Sequence, residues 1–356
     1  MYDSEIDPSL AKLPIGIQAF ETLRGQGYLY VDKTRWVHRM VTQGMFYFLA
    51  RPRRFGKSLL VSTLKCLFEG RKELFEGLWI AAPGRWDWQA HPVIHLSFTE
   101  LSTRTPALLE QSLSQSLEQI ALDFGVTLRS AILEVQFQAL IRELHAKTGA
   151  PVAVLIDEYD KPLLDHLGQG EAGLAIARAN RELLRSFFGV LKGAVVSPLL
   201  RFVFLTGVSR FSRVSIFSEL NNLQDLSMND AYADMLGYTQ EEIETYFGPH
   251  ITRFARLAGL TPAAVTVKLA QYTTAIASPN GTCASPIPSR CSTRSARMNW
   301  ATIGLRAVRQ PSWSTCSSRN STICSILTSL RSARPFSRPS SWISCARKHC
   351  CFRPVI

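Results

Sequence analysis

A chain of 356 residues with 46% hydrophobic and 19% charged residues can bury one large α/β core or two smaller ones. No apolar run of about eighteen residues crosses a bilayer and no basic-then-apolar leader opens the chain, so the expectation is a cytoplasmic protein with no membrane partner. The net charge of +12 invites a nucleic-acid reading, yet residues 273–356 hold 11 Arg, 1 Lys and no acidic residue, leaving 28 basic and 28 acidic residues in a neutral 1–272.

In residues 27–34 the alternation of Tyr28, Tyr30 and Val31 predicts a short strand. Asp32, Lys33 and Thr34 then cap a helix predicted over 35–41. This arm either packs on the core or lines a ligand pocket.

Next comes FYFLARPRRFGKS, residues 46–58. Phe46, Tyr47, Phe48 and Leu49 form a run short enough for a buried parallel strand. Pro52 breaks it, and Gly56, Lys57 and Ser58 open a helix with Leu59, Leu60, Thr63, Leu64 and Leu67 at helical spacing. In the order strand, loop, helix, the helix start offers free N–H groups, Lys57 reaches terminal phosphates and the Ser58 hydroxyl holds magnesium. That device, a Walker A loop, binds a nucleoside triphosphate, taken here as ATP. Arg51, Arg53, Arg54, Phe55, Gly56, Lys57, Ser58 and Leu59 are its candidate binding residues. It departs from the usual pattern because Arg51 stands where glycine is expected and Pro52 supplies no N–H. The bland alternative is a capped surface helix carrying a lysine.

Residues 93–98 read as a second core strand after Pro92, followed by helices predicted over 106–124 and 130–147. VAVLIDEYD, residues 152–160, is an apolar strand with carboxylates at its C-terminal end, where open α/β sheets bind ligands. Asp157 is the candidate to hold hydrated Mg2+ and Glu158 the candidate to polarise an attacking water, as in a Walker B strand. A solvated acidic turn is the alternative. A phosphate loop and an acidic strand end about a hundred residues apart favour the ATPase reading.

Asp165 and His166 offer a proton relay or only a solvated histidine. A helix predicted over 171–193 sets Arg178, Arg181 and Arg185 on one face, for phosphates, an acidic partner or plain solvation. A strand over 201–205 ends in Thr206, where ATPases of this sheet type carry a polar γ-phosphate sensor. Arg210 and Arg213 follow as arginine-finger candidates, or as basic caps of a helix end. Thr239, with Glu241 and Glu242 behind it, starts a helical stretch running to residue 272.

LPIGIQAF, YVDKT, RPRRFGKSLL, LIDEYDKPL, RFVFLTGVSRFS and SIFSELNNLQDLS, in this order, resemble a bacterial AAA-ATPase-like family whose members often carry a PD-(D/E)XK nuclease-like domain at the C-terminus. The resemblance covers about residues 10–272 and implies an arginine at the first loop position, so Arg51 conforms to the family. It implies Mg2+-dependent ATP hydrolysis, leaves a homo-oligomer open, and is the sole ground for a nucleic-acid partner.

Residues 273–356 carry 17 Ser and seven of the eight Cys, without sustained periodicity. A disordered basic tail and a cysteine metal site are both rejected, since spacings such as Cys345 to Cys350 fit no zinc pattern. If one base was lost near codon 272, each intended codon joins the last base of one present codon to the first two of the next. So decoded, 272–278 allow YNGYRF, 286–295 allow NPFSVLNAL and 300–317 allow GNYWFASSTPTFLVDLLK, strings that resemble what the family carries after its ATPase domain. We therefore expect 273–356 to be an out-of-frame tail, disordered or arbitrarily packed, without metal, disulfide framework or nuclease carboxylates.

The expected fold is α/β: a P-loop NTPase with a doubly wound, mainly parallel sheet flanked by helices over 1–236, a partial helical lid or linker over 237–272, and a non-native tail. Competing with ATP hydrolysis are a non-hydrolysing nucleotide switch, a regulatory module of a nuclease-like or nucleic-acid-associated protein, and an inactive truncated product.

Overall fold

The computed structural model describes residues 10–209 and 222–272. Five strands, β1 (Phe46–Ala50), β2 (Val93–Ser97), β3 (Val152–Asp157), β4 (Leu200–Gly207) and β5 (Gln224–Asp225), form one sheet in the order β2-β3-β4-β1-β5, with every pairing parallel. Parallel strands need crossovers, and the helices that supply them cover both faces, which explains why β1, β3 and β4 read as continuous apolar runs.

On one face Phe46, Phe48 and Ala50 pack with Leu109, Leu113 and Leu117 of α4 (Pro106–Asp123), Leu140 and Leu144 of α5 (Leu133–Thr148), Leu163 of the short α6 (Lys161–Leu164) and Phe187 of α7 (Gly170–Gly189). On the other, Tyr47 and Leu49 pack with Val37 and Met40 of α2 (Thr34–Gln43) and with Leu60, Leu64, Leu67 and Phe68 of α3 (Lys57–Phe68). The period-2 alternation of the strands therefore feeds two cores, as a doubly wound sheet requires. No helix among the described residues is long and apolar enough to cross a membrane.

Local signals set the element ends. The Thr105 hydroxyl accepts the Leu108 N–H ahead of Pro106 at the start of α4, and Gly149 closes α5 in the left-handed region at φ 68°. Thr239 and Glu242 form a reciprocal capping box at the start of α8 (Gln240–Ala258), which pairs with α9 (Pro262–Tyr272). Ile243, Phe247, Ile251, Ala255, Val265 and Leu269 of this pair enclose Val31 in a third, smaller core.

Three expectations are corrected. The strand expected in 27–34 is absent; Tyr28 makes only an isolated bridge with Lys12. Tyr30 packs edge-on against Phe20 of the short helix α1 (Phe20–Gly25) while Val31 faces α8, so the alternation reflects a segment held between two apolar surfaces. The helix predicted over 171–193 ends at Gly189 and tightens into a 3-10 turn, Val190–Lys192. Helix α5 begins at Leu133, since the Ser130 hydroxyl accepts the Ile132 N–H in the preceding turn. The expectations for Arg210, Arg213 and the whole of 273–356 lie outside the described residues.

Candidate active site

The C-terminal ends of β1, β3 and β4 meet at one edge because β4 lies between the other two. From β1 the loop runs through Arg51 to Gly56, with Arg54 at φ 69° and Gly56 at φ 86°. The left-handed turn into α3 is what glycine permits without a Cβ penalty. Phe55 anchors the loop inward at 5% exposure, while Arg53 and Arg54 are exposed.

Arg51 replaces a loop glycine with a strut. Its N–H reaches Gly207 O at 3.2 Å, and its guanidinium donates to the Ser227 and Ala50 carbonyls. The Ser227 hydroxyl in turn accepts the Ala50 N–H at 2.8 Å, fastening the segment after β5 to the end of β1.

Lys57, 5% exposed at the start of α3, donates its Nζ to Pro52 O at 3.0 Å across the loop. Burial lowers its pKa, opposed by the charges of Asp157, Glu158 and Asp160. Asp157, 5% exposed at the tip of β3, has its pKa raised by burial, with the Ser58 hydroxyl and Lys57 pulling it down. Its Oδ1 is buried and has no hydrogen-bond partner. A buried acceptor without a donor is costly, and a cation would satisfy it. Among the described residues no group of three or more His, Cys, Asp or Glu stands ready to hold a metal. One hydroxyl and one carboxylate instead suit Mg2+, which keeps most of its waters and takes substrate phosphates as further ligands. The residues present fit that ion.

Glu158 is half-buried at φ 53°, an uncommon conformation for a side-chain-bearing residue. The chain returns at once, with Tyr159 N donating to Thr206 O at 3.2 Å. Thr206 is fully buried and its hydroxyl donates to Leu49 O at 2.7 Å. This bond joins β4 to the neighbouring strand, because β4 and β1 pair in register at Leu49 and Thr206.

Asp165 and His166 do not form the relay. The Asp165 carboxylate accepts the Thr103 hydroxyl at 2.6 Å and the Lys161 ammonium at 2.5 Å, whereas His166 Nε2 bonds Thr103 O at 2.6 Å. A cavity of about 710 Å³ opens here, beside the acidic strand end and away from the phosphate loop, lined by Glu100, Thr103, Arg104, Lys161, Asp165 and His166 among others. On α7, Arg181 and Arg185 both pair with Glu182, so that face is laced with its own charges. Sequence reading missed Asp160, whose Oδ2 accepts the Val208 and Ser209 N–H groups at 3.0 and 2.6 Å; the signal was a third carboxylate in VAVLIDEYD. It also missed Ser227, which no local pattern marks.

A parallel sheet in this order, with a Gly-Lys-Ser helix start and an acidic strand end at one edge, has the architecture of a P-loop NTPase-like α/β protein. The family model described as predicted AAA-ATPase matches residues 14–217, and the chain belongs to this AAA-ATPase-like family. An uncharacterised protein in the vnfD 5′ region of Azotobacter chroococcum mcd 1 is 43% identical over 245 residues, covering 68% of this chain and 46% of the relative. The chain thus spans about half the length of that relative. No solved structure matches.

Proposed function

We propose that this chain binds ATP with Mg2+ and hydrolyses it at the edge formed by β1, β3 and β4. The observation that carries the proposal is the buried, partnerless Oδ1 of Asp157, set beside Ser58 and Lys57 where the phosphate loop enters its helix. Lys57 leaves the Pro52 carbonyl to neutralise the β- and γ-phosphates, aided by the N–H groups at the start of α3. Arg53 and Arg54 form no hydrogen bond or ion pair with a described residue and add positive charge at the loop. Ser58 and Asp157 hold Mg2+, which when bound supplies charge stabilisation on the phosphate oxygens. Glu158 orients the attacking water and takes its proton. Thr206, at the tip of β4 between the two motif strands, senses the γ-phosphate, and its hydroxyl ties β4 to β1 at Leu49 O.

Calorimetry and phosphate release test this together. Lys57→Ala is expected to weaken ATP binding by about 2–3 kcal/mol, the range for a charged hydrogen bond. Glu158→Gln should keep binding and lose turnover. Unchanged affinity in folded Lys57→Ala refutes the site, and binding without turnover in wild type refutes hydrolysis in favour of a nucleotide switch.

A further inference from the structure

Among the residues that hold the turn carrying Glu158 is Asp160, which has no assigned role. Asp157 pairs in register with Thr206, and Glu158 then enters the left-handed region at φ 53°, which costs a residue with a side chain on the order of 1 kcal/mol or more. Such a conformation persists only where its surroundings over-determine it.

Those surroundings are the exit of β4. Tyr159 donates its N–H to Thr206 O at 3.2 Å and its hydroxyl to Ser209 O at 2.6 Å. Asp160, 1% exposed, receives two backbone N–H groups on Oδ2. Gly207 permits the approach: a Cβ there would lie 2.5 Å from Asp160 Oδ1 and 2.6 Å from Tyr159 Cε1. The same strand exit accepts the Arg51 N–H at Gly207 O. Residues 206–209 are therefore joined to the phosphate loop on one side and to the Glu158 turn on the other.

A buried carboxylate without an ion pair is a costly way to hold a turn, and burial does raise the Asp160 pKa against the two N–H groups that favour its charge. Carboxylate–amide bonds are stronger than neutral ones and leave little play in the atoms they join. Glu158 and the phosphate loop must keep a fixed separation for a water to attack in line.

We propose that Asp160 is a positioning residue for hydrolysis, locking the Glu158 turn to the exit of β4 and through it to the phosphate loop. This rests on the reading of the site given above.

The test compares kcat, KM and calorimetric ATP affinity in the full chain. In Asp160→Ala, kcat is expected to fall by roughly tenfold or more while ATP affinity stays within about threefold. Asp160→Asn retains an oxygen able to accept both N–H groups and should restore kcat to within about threefold of wild type. A purely structural residue would lower binding and turnover in proportion, and that result, or an unchanged kcat in Asp160→Ala, overturns the proposal. If Asp160→Ala does not fold, Asp160→Ser decides: its shorter side chain cannot hold both the Val208 and Ser209 N–H groups, so kcat should fall by about threefold or more at near-unchanged ATP affinity, and unchanged turnover overturns the proposal. Wild type and Glu158→Gln separate the two levels. Absent turnover in wild type removes the hydrolysis reading and this one with it, whereas turnover that depends on Glu158 but not on Asp160 removes this one alone.

Discussion

Lys33 and Glu242 lie 209 residues apart, yet the Lys33 ammonium touches both Glu242 oxygens at 2.5 and 2.6 Å and the Asp234 carbonyl at 2.8 Å. Their side chains are 11% and 14% exposed. Lys33→Met would leave the Glu242 carboxylate with the Thr239 N–H of its capping box. Breaking a buried pair from one side costs about 3–5 kcal/mol; the surviving cap bond and slight exposure set the expectation near the lower end, about 3. Glu242→Gln keeps the capping box and an oxygen for Lys33, so it should cost about 2 kcal/mol.

Burial lowers the Lys33 pKa in spite of the adjacent carboxylate, so desolvation outweighs attraction. Removing one partner therefore leaves the other desolvated and poorly paired. The double variant Lys33→Met/Glu242→Gln should consequently lose less than either cost summed, with a coupling of about 2 kcal/mol. Urea denaturation followed by tryptophan fluorescence measures this, and Trp36, with its ring centroid 5.1 Å from Lys33 Nζ, reports on the junction. A Lys33→Met cost below about 1 kcal/mol, or strictly additive variants, would refute the argument.

Three further outcomes are expected. Burial raises the Asp157 pKa above its unfolded value, so folding favours the protonated form; stability is greater below that raised pKa and declines as pH rises through it. Asp157→Asn should therefore raise the melting temperature of the nucleotide-free protein at neutral pH while weakening Mg2+-dependent ATP binding, and a lowered melting temperature would contradict this. Arg210→Ala or Arg213→Ala should reduce single-turnover hydrolysis by about 10³-fold or more if one is a finger, and losses under about tenfold in both exclude that role. Resequencing the gene around codon 272 should reveal one missing base; a confirmed present frame, with related chains sharing residues 273–356, would reject the frameshift.

Much of the site could be read locally. Continuous apolar runs marked β1, β3 and β4, because a strand buried on both faces cannot alternate. Lys57 and Ser58 at a helix start, and Asp157 and Glu158 at a strand end, could be placed because both positions depend on neighbours in sequence. The Thr239 cap was equally local, with both partners three residues apart.

Contacts across the sheet required the strand order. Only with β4 between β1 and β3 does the Thr206 hydroxyl meet Leu49 O, and only then can Asp160 hold Val208 and Ser209. Arg51 looked like a damaged phosphate-loop position, and the fold makes it a strut to Ser227. Lys33 looked like part of a helix cap, and the fold buries it against Glu242. Period and propensity act over a few residues, so the sequence by itself determined the elements and which polar residues stand at their tips. Which hydroxyl, carboxylate or ammonium is left free for a ligand depends on desolvation and hydrogen bonding between distant segments, and the tertiary structure alone decided that.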